Sequence, residues 1–599
     1  MTCRLSAKSS GFWSYNRFLP YLLGVVLIAV GSAQGQIATA AINGTVTDPS
    51  GAVIPGAAVS LKNTATNVER TTATNSAGNY VLVNVNPGRY TLTVHKDGFT
   101  AETEPEFELE VNQTSTLNFN LRVGSSVETI TVEAAETGLQ TSTSELGTVI
   151  DKRAVNDLPL NGRNFTQLLN LTPGVSTVNV AQNNSSTGQF DGNPVGSFSF
   201  PSINGQTNRS NIFLLDGLND QESFGSTYSV PPIVDDIQEF KVDSHNDQAQ
   251  FGGVLGGVVN VVTKSGTNSF HGEAWEFLRN SAFDAADPLN GESSLHQHEF
   301  GANIGGPVLL PHYNGRNRTF FFGSFEQAII HTGNTNQNLI PTTSQLGGDF
   351  SAQGVPLYNP YSTTASGTRT PFLCVGGAPA PLIAGTKLQA PAGTTAPPAG
   401  TTACSILPSG LIDPNMQAVT KLLYGGLTPN LAGNPSANFR EVLLNVQDPR
   451  SYNIRVDEEL GPTNSFWGRF SHNSAPRNVP GIFGQVNLND YHAHQVAITW
   501  NHVFGPSAIL TLQFGRNYGF SGNPTLLPDS VAQALIKAGG YDPSFECSFK
   551  SGPRSCYFNA VNFSNGGIAS FQEGTQPATV ADIYQWKGDF TKTYGKHTF

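Results

Sequence analysis

Charge is scarce in this chain: Asp, Glu, Lys and Arg make up 13% of its 599 residues, about half of the ~25% usual for soluble proteins. The balance is acidic, formally −12, with no basic cluster, so nothing draws the chain to a phosphate backbone and nucleic acid is not an expected partner. Cysteine is nearly absent. Cys3, Cys374, Cys404, Cys547 and Cys556 form no CxxC and no Cys/His spacing, which argues against a structural zinc site. After Val30 no apolar run approaches the ~20 residues that a membrane-crossing helix needs. The glycine-rich stretch FGGVLGGVVNVVTKSGTN lacks the Gly-Lys pair of a phosphate loop, because Thr263 precedes Lys264. Backbone crowding is the expected reason for Gly252, Gly253, Gly256 and Gly257.

Glycine (63), proline (37) and phenylalanine (37) are plentiful, a mixture that suits β-structure with many turns, and the length calls for several folded units. The first 33 residues read as an export signal: Arg4, Lys8 and Arg17 precede an apolar run at 22–30, then Gly31, Ser32 and Ala33, with cleavage expected after Ala33. Cys374, Cys404, Cys547 and Cys556 stand in Gly/Pro/Ser-rich loops, where disulfides are expected in an oxidising compartment, their connectivity open. One HxxE occurs, His296 to Glu299. On a strand its histidines share one face and Glu299 takes the other, so a polar pair of His296 and His298 facing a wet lumen is expected rather than a metal site, and likewise for His492 and His494. No cofactor is expected.

From 39 to 122 the sequence has the rhythm of a small sandwich: INGTVTD, AAVSLKN, VERTTATN, GNYVLVNV, RYTLTVHK and TSTLNFNL, parted by DPSG, NSAG and NPG. Tyr90, Leu92 and Val94 fall on one face, Arg89, Thr91 and Thr93 on the other. GTVTDPSGAVIPGAAV, and NPGRYTLTV followed by GF, make the segment resemble the carboxypeptidase regulatory-like domain, a transthyretin-like or Ig-like sandwich related to carbohydrate-binding modules only in fold. Residues 145–267 mix short buried strands, IFLLDGL and IQEFKV, with the helical FTQLLNLTPGV. LPLNGRNFTQLLNLTPGV, NIFLLDGLND and IQEFKVDSHNDQAQFGGVLGGVVNVVTKSGTNSFHGEAWEFLRN resemble the plug, and its exit into the barrel, of the Oar-like branch of TonB-dependent outer-membrane transporters.

For residues 268–599 the test is alternation between a lipid face and a wet face. Tyr452, Ile454 and Val456 oppose Asn453, Arg455 and Asp457; Val496, Ile498 and Trp500 oppose Gln495, Thr499 and Asn501. Leu510, Leu512 and Phe514 oppose Thr511, Gln513 and Asn517, and Tyr584, Trp586 and Phe590 oppose Gln585, Lys587 and Asp589. A soluble sandwich alternates too. Loop length separates the two, because strands near 268–279, 296–306, 318–330, 451–459, 464–474, 492–504, 507–519, 581–590 and from 597 are joined by long and short connections in strict alternation. Short periplasmic turns and long outside loops define an outer-membrane barrel, and without apolar helices only a closed barrel satisfies its backbone in hydrocarbon. The resemblance implies roughly 22 strands, so about nine is the N-terminal part, with C-terminal strands expected to be missing and Phe599 ending a barely begun strand.

The expected fold class is therefore mainly β: a periplasmic sandwich, an α+β plug and the first part of a transmembrane antiparallel barrel in the outer membrane of a Gram-negative-type bacterium. Within the linker 123–144 stands ETITVEA, namely Glu128, Thr129, Ile130, Thr131, Val132, Glu133 and Ala134. It resembles the TonB box, which implies a TonB-type energising protein of the inner membrane as partner, reached by strand addition. The alternative is a last strand of the sandwich. Expected besides are contact with outer-membrane lipid and a ligand of unidentified class: small molecule, oligosaccharide or peptide. Against import by a receptor stand an adhesion or envelope-organising barrel and, further off, a secreted hydrolase.

Overall fold

Period-two alternation of apolar residues builds the first module, and the computed structural model folds that period into two packed sheets. The structure describes residues 39–124, 129–131, 146–177, 201–222, 227–245, 254–285, 294–394, 396–433, 436–505, 507–522, 524–526, 528–538, 574–575, 579–594 and 597–598. The export signal, Glu128, residues 132–134, Gly252, Gly253, Cys547, Cys556 and Phe599 lie outside them. Strands β1 (Ala40–Thr47), β4 (Asn79–Val85), β7 (Thr114–Thr116) and β8 (Phe119–Asn120) form one sheet; β2 (Ala58–Asn63), β3 (Glu69–Ala73), β5 (Gly88–His95), β6 (Ala101–Leu109) and β9 (Thr129–Thr131) form the other, in the order β3-β2-β5-β6-β9. Val59 sits opposite Val94 and Leu61 opposite Leu92, and both pairs are buried with Ile42, Val46, Tyr80 and Leu109 between the sheets. Leu92 is 0% exposed, so Leu92→Ala is expected to destabilise this module by ~2–5 kcal/mol, read as faster hydrogen exchange in β1, β2 and β5 with barrel strands unaffected.

The second module is a five-stranded sheet in the order β10-β15-β16-β13-β14, from β10 (Leu146–Ile150), β13 (Ile212–Leu215), β14 (Leu218–Asn219), β15 (Ile237–His245) and β16 (Val258–Thr263), with a small hairpin of β11 (Val175–Thr177) and β12 (Pro201–Ile203) beside it. All six residues of β16, VVNVVT, are buried, as a strand covered on both faces requires. The helix Lys152–Asp157, N-capped by the Asp151 side chain, and the 3-10 turns of Phe165–Leu171 cover one face. FTQLLNL thus forms 3-10 rather than α turns. Gly257 has a packing reason, since a Cβ there would sit 2.6 Å from the Asp243 carbonyl oxygen.

The third module is one long antiparallel sheet. Its main strands are β17 (His271–Asn280), β18 (Leu295–Pro307), β21 (Thr319–Asn338), β26 (Arg450–Leu460), β27 (Asn464–Ser474), β29 (Val486–Gly505), β30 (Ala508–Gly522), β33 (Thr579–Tyr594) and the short β34 (His597–Thr598), each paired with the next. These overlap the alternating spans read from the sequence, but β21 runs on to Asn338 and β29 starts at Val486, beyond the expected 318–330 and 492–504. β25 (Phe439–Gln447) and β28 (Arg477–Pro480) extend β26 and β27 upward past Pro449 and Pro476, breaks placed where proline removes a ladder donor. β21 and β29, at 20 residues, are about twice the ~10 that a tilted spanning strand needs. Short pieces decorate the connections: β19 (Leu309–Leu310), β20 (Tyr313–Asn314), β22 (Leu373–Val375), β23 (Ala378–Pro379), β24 (Thr402–Ala403), β31 (Pro524–Leu526) and β32 (Gly574–Thr575). At the long-loop end a disulfide joins Cys374 to Cys404, and Ile340, Val419, Leu423, Tyr424, Phe483 and Leu535 from three connections share one apolar core.

The sheet's outer face carries two aromatic belts. Tyr452, His472, His494 and Tyr518 lie in direct register across four strands, their rings stacked at 4.8 Å (Tyr452–His472) and 4.7 Å (His494–Tyr518). Toward the short turns, Phe466 stacks on Trp500 and Phe504 meets Phe590 edge-on. Val496 and Ile498 stand between the belts on β29, the banding of a barrel wall against lipid. The expected lumen-facing histidine pairs are corrected here. His492 and His494 are outward, because Tyr491 and Gln495 point inward to bond Ser229 and Asp220; His296 and His298 are outward, because Glu299 and Asn303 face the second module. Imidazole is amphipathic enough for the interfacial belt, so polarity alone misassigned the face.

Candidate functional site at the plug–barrel seam

The hairpin β13–β14 reverses through Asp216 and Gly217, both left-handed (φ 51° and 79°), the two-residue turn that Asp-Gly favours. Apolar Leu214, Leu215 and Leu218 bury the hairpin, and the turn carries a carboxylate into the seam with the barrel wall. There Asp216 accepts from the Thr263 N–H (2.8 Å) and hydroxyl (2.9 Å). Two barrel arginines flank it: Arg469 Nε lies 2.8 Å from Oδ2 and Arg455 Nη1 3.5 Å from Oδ1, with Arg469 Nε off the hydrogen-bond line and thus a charge contact. Arg455 also holds Asp457 (2.9 Å) and lies over the Trp467 ring, 4.7 Å from its centroid. Arg469 donates to Ser471, at 2.7 Å, and to Gln495. Side-chain exposures of 6% for Arg455, 0% for Arg469 and 4% for Asp216 make this a buried ionic cluster, in which two guanidinium groups meet the carboxylates of Asp216 and Asp457. Burial pushes the carboxyl of nearby Asp220 well above its ordinary value, offset partly by Arg469.

Other barrel strands grip the same hairpin. Gln513 donates to the Asp216 carbonyl at 3.1 Å, Asn517 and Gln585 both to the Asn219 carbonyl at 2.6 Å, and Lys587 to the Gly217 carbonyl. A second tie is Arg163, left-handed at φ 48° in the LNGRN turn. It pairs with Asp235 of its own module and with Glu326 of β21 (2.9 Å), and lies over Phe277 (4.7 Å) on β17.

The sandwich closes against the short-turn end. Asn84 donates to Thr511 at 2.5 Å, Asn268 donates its backbone N–H to the Ala65 carbonyl (3.1 Å) and its side-chain amide to the Thr66 carbonyl (2.6 Å), and Val111 packs on Val262. Between sandwich, plug and barrel remains a polar cavity of ≈520 Å³ bordered by Arg89, Arg153, Thr263 and Arg455. The Val111 N–H donates to Glu239 on β15. Burial pushes the Glu239 carboxyl up to about 8; Glu110, Glu108 and Asp151 add to the rise, and the Val111 N–H offsets part of it. Since the docked form holds a proton that an undocked Glu239 releases near its ordinary value of ~4.3, docking is strongest below that value and weakens as pH rises to about 8. Loss of docking by about tenfold or more across this window is expected, because every proton that the docked form retains and the undocked form releases ties docking to proton concentration. Spin-label distances between sandwich and barrel would report it, and Glu239→Gln should flatten the profile.

The segment 128–134 meets none of these groups in the described residues: Thr129–Thr131 forms β9 on the sandwich edge. Among the described residues no set of three or more His, Cys, Asp or Glu is arranged to hold a metal, and no helix is long and apolar enough to cross a membrane, which says nothing of a barrel. Sequence reasoning placed Arg455 on the wet face but missed Asp216, Arg469 and Arg163. A signal existed, since an Asp-Gly turn inside IFLLDGL buries a carboxylate that must find a cation.

Fold and seam define part of an outer-membrane barrel wall with a plug packed against its inner face. Residues 262–599 match the model of the outer membrane beta barrel domain and residues 41–122 that of the carboxypeptidase regulatory-like domain; the chain belongs to the outer membrane beta barrel family and resides in the outer membrane. It is similar to the TonB-dependent transporter Oar of Myxococcus xanthus, 26% identical over an alignment of 332 positions that covers 52% of this chain and 29% of that protein. Among solved structures it is similar to the outer membrane transporter YddB from Escherichia coli, at 9% identity and a TM-score of 0.42 over 75% of this chain and 45% of that one. The ferric enterobactin receptor PfeA from Pseudomonas aeruginosa gives 13%, a TM-score of 0.33 and coverages of 64% and 42%. The chain thus spans under a third of the curated relative and under half of either transporter. These relatives are transporters and receptors rather than enzymes.

Proposed function

We propose that this protein is a TonB-dependent receptor that imports a ligand through the barrel by energised movement of the plug, and that it catalyses no reaction. The observation that carries this reading is a plug pinned in the lumen at one hairpin by a buried ionic cluster, with its other end tethered to the linker. Residues 128–134 are the energised segment, partner to a TonB-type protein. They lead into β10, an edge strand of the plug sheet, whose five residues pair only with β15 among the described residues. A pull toward the inner membrane therefore loads the plug at an edge strand, at the opposite end of the sheet from the hairpin that carries Asp216. β15 carries the buried Lys241–Asp243 pair, 2.9 Å apart, a polar layer that water solvates once β10 leaves. The disulfide-braced long-loop layer is the face that first meets the ligand, of the small-molecule, oligosaccharide or peptide class. The test is uptake of labelled ferric siderophores, oligosaccharides and peptides by cells with the intact gene and with residues 128–134 deleted. Uptake of at least one that is lost on deletion supports import. Uptake of none, with altered cell contact in the knockout, would favour an adhesive barrel.

A further inference from the structure

β9 ends the sheet β3-β2-β5-β6-β9 and runs parallel to β6, with Ala101 opposite Thr129, Glu102 opposite Ile130 and Thr103 opposite Thr131. Exposed strand edges recruit foreign strands, and stable monomers guard them with charge, proline or bulges. β6 has that guard beyond its first residues: Glu104, Pro105 and Glu106 follow directly, and its register with β5 shifts between Tyr90 and Leu92, opposite this stretch. β9 has none. Its three residues, Thr-Ile-Thr, are uncharged and β-branched, and among the described residues its only strand partner is β6. Among the described residues the sandwich therefore holds a short edge strand with no charge of its own in extended form at its rim, beside a stretch of β6 that carries charge and proline.

This rests on the reading above that residues 128–134 are the energised segment. We infer that the sandwich is part of the docking site for the energising protein: it presents Thr129–Thr131 as a preformed edge, and the partner's sheet adds to the outer side of β9, making one continuous sheet with β6. The physical gain is pre-organisation. A free linker must lose backbone freedom on pairing, whereas β9 is already extended, so the cost of ordering is met before the encounter. A strand has two edges, and β6 occupies just one. The alternative is exchange, in which β9 leaves β6 before the partner binds.

The experiment uses the full chain in detergent and the purified soluble domain of the organism's own TonB-type protein. Hydrogen exchange of the unmodified chain is compared with and without that domain. Templated docking predicts that β9 gains protection while Ala101, Glu102 and Thr103 keep or gain theirs; loss of protection in β6 on binding overturns it in favour of exchange. A second arm uses Thr103→Cys with Thr131→Cys, opposite one another in register. Its oxidised form is expected to bind within threefold of the reduced form or more tightly, and a tenfold loss on oxidation that reductant reverses overturns the inference. Failure of the bond to form under oxidant, with both thiols reactive, does so as well. Deleting Thr129–Thr131 tests the underlying reading separately, because undiminished binding then means that the partner docks elsewhere.

Discussion

Asp216→Ala is expected to loosen the plug while leaving the barrel inserted. The change strips a carboxylate from between Arg455 and Arg469, both buried. Arg455 keeps Asp457, whereas Arg469 is left with hydrogen bonds to Ser471, Gln495 and the Leu215 carbonyl. Removing one partner of a buried ion pair costs ~3–5 kcal/mol, a large share of the ~5–15 kcal/mol that stabilises a typical domain. The loss falls on the contact between plug and wall and on the two hydrogen bonds from Thr263 of β16, while the β13–β16 ladder is kept. The measurable consequences are faster exchange of β13, β14 and β16 and entry of a large antibiotic that intact outer membranes exclude. Asp216→Ala combined with Arg469→Ala should cost less than the sum of the two single changes, the signature of a direct pair. Plug exchange unchanged in Asp216→Ala would show that the hairpin is held by its neutral hydrogen bonds instead.

Deleting residues 128–134 is the second large effect, expected to reduce uptake to the level of cells without an energising protein while leaving barrel assembly intact. The two variants separate the ends of the machine. One removes the grip on the plug, so that passage becomes leaky and independent of energy; the other removes the handle, so that the plug stays shut. If the deleted form still imports its ligand only in energised cells, force enters by another route.

Much of the architecture was legible. Alternation at Tyr452–Val456 and along β29 and β30 identified wall strands because lipid and lumen impose opposite demands on successive residues. Loop parity then separated a barrel from a sandwich. At the histidines the same rule failed, since a ring that tolerates both phases carries no sign of which face it occupies. ETITVEA was legible as a strand but not as to its partner, because β-branched residues favour extension without specifying an edge.

Period, turn chemistry and family-like segments, all local properties, therefore indicated the order of modules, the two faces of wall strands such as β26 and β30, and the candidate energised segment. Only the folded chain decided that Asp216 meets Arg455 and Arg469, that Arg163 reaches Glu326, that Glu239 is sealed beneath Val111, and that Thr129–Thr131 lies on β6. Leu215 and Arg469 stand 254 positions apart in the sequence, and no local preference spans that distance. Which carboxylate faces which guanidinium depends on the register of every strand between them and on the depth at which the plug seats in the wall.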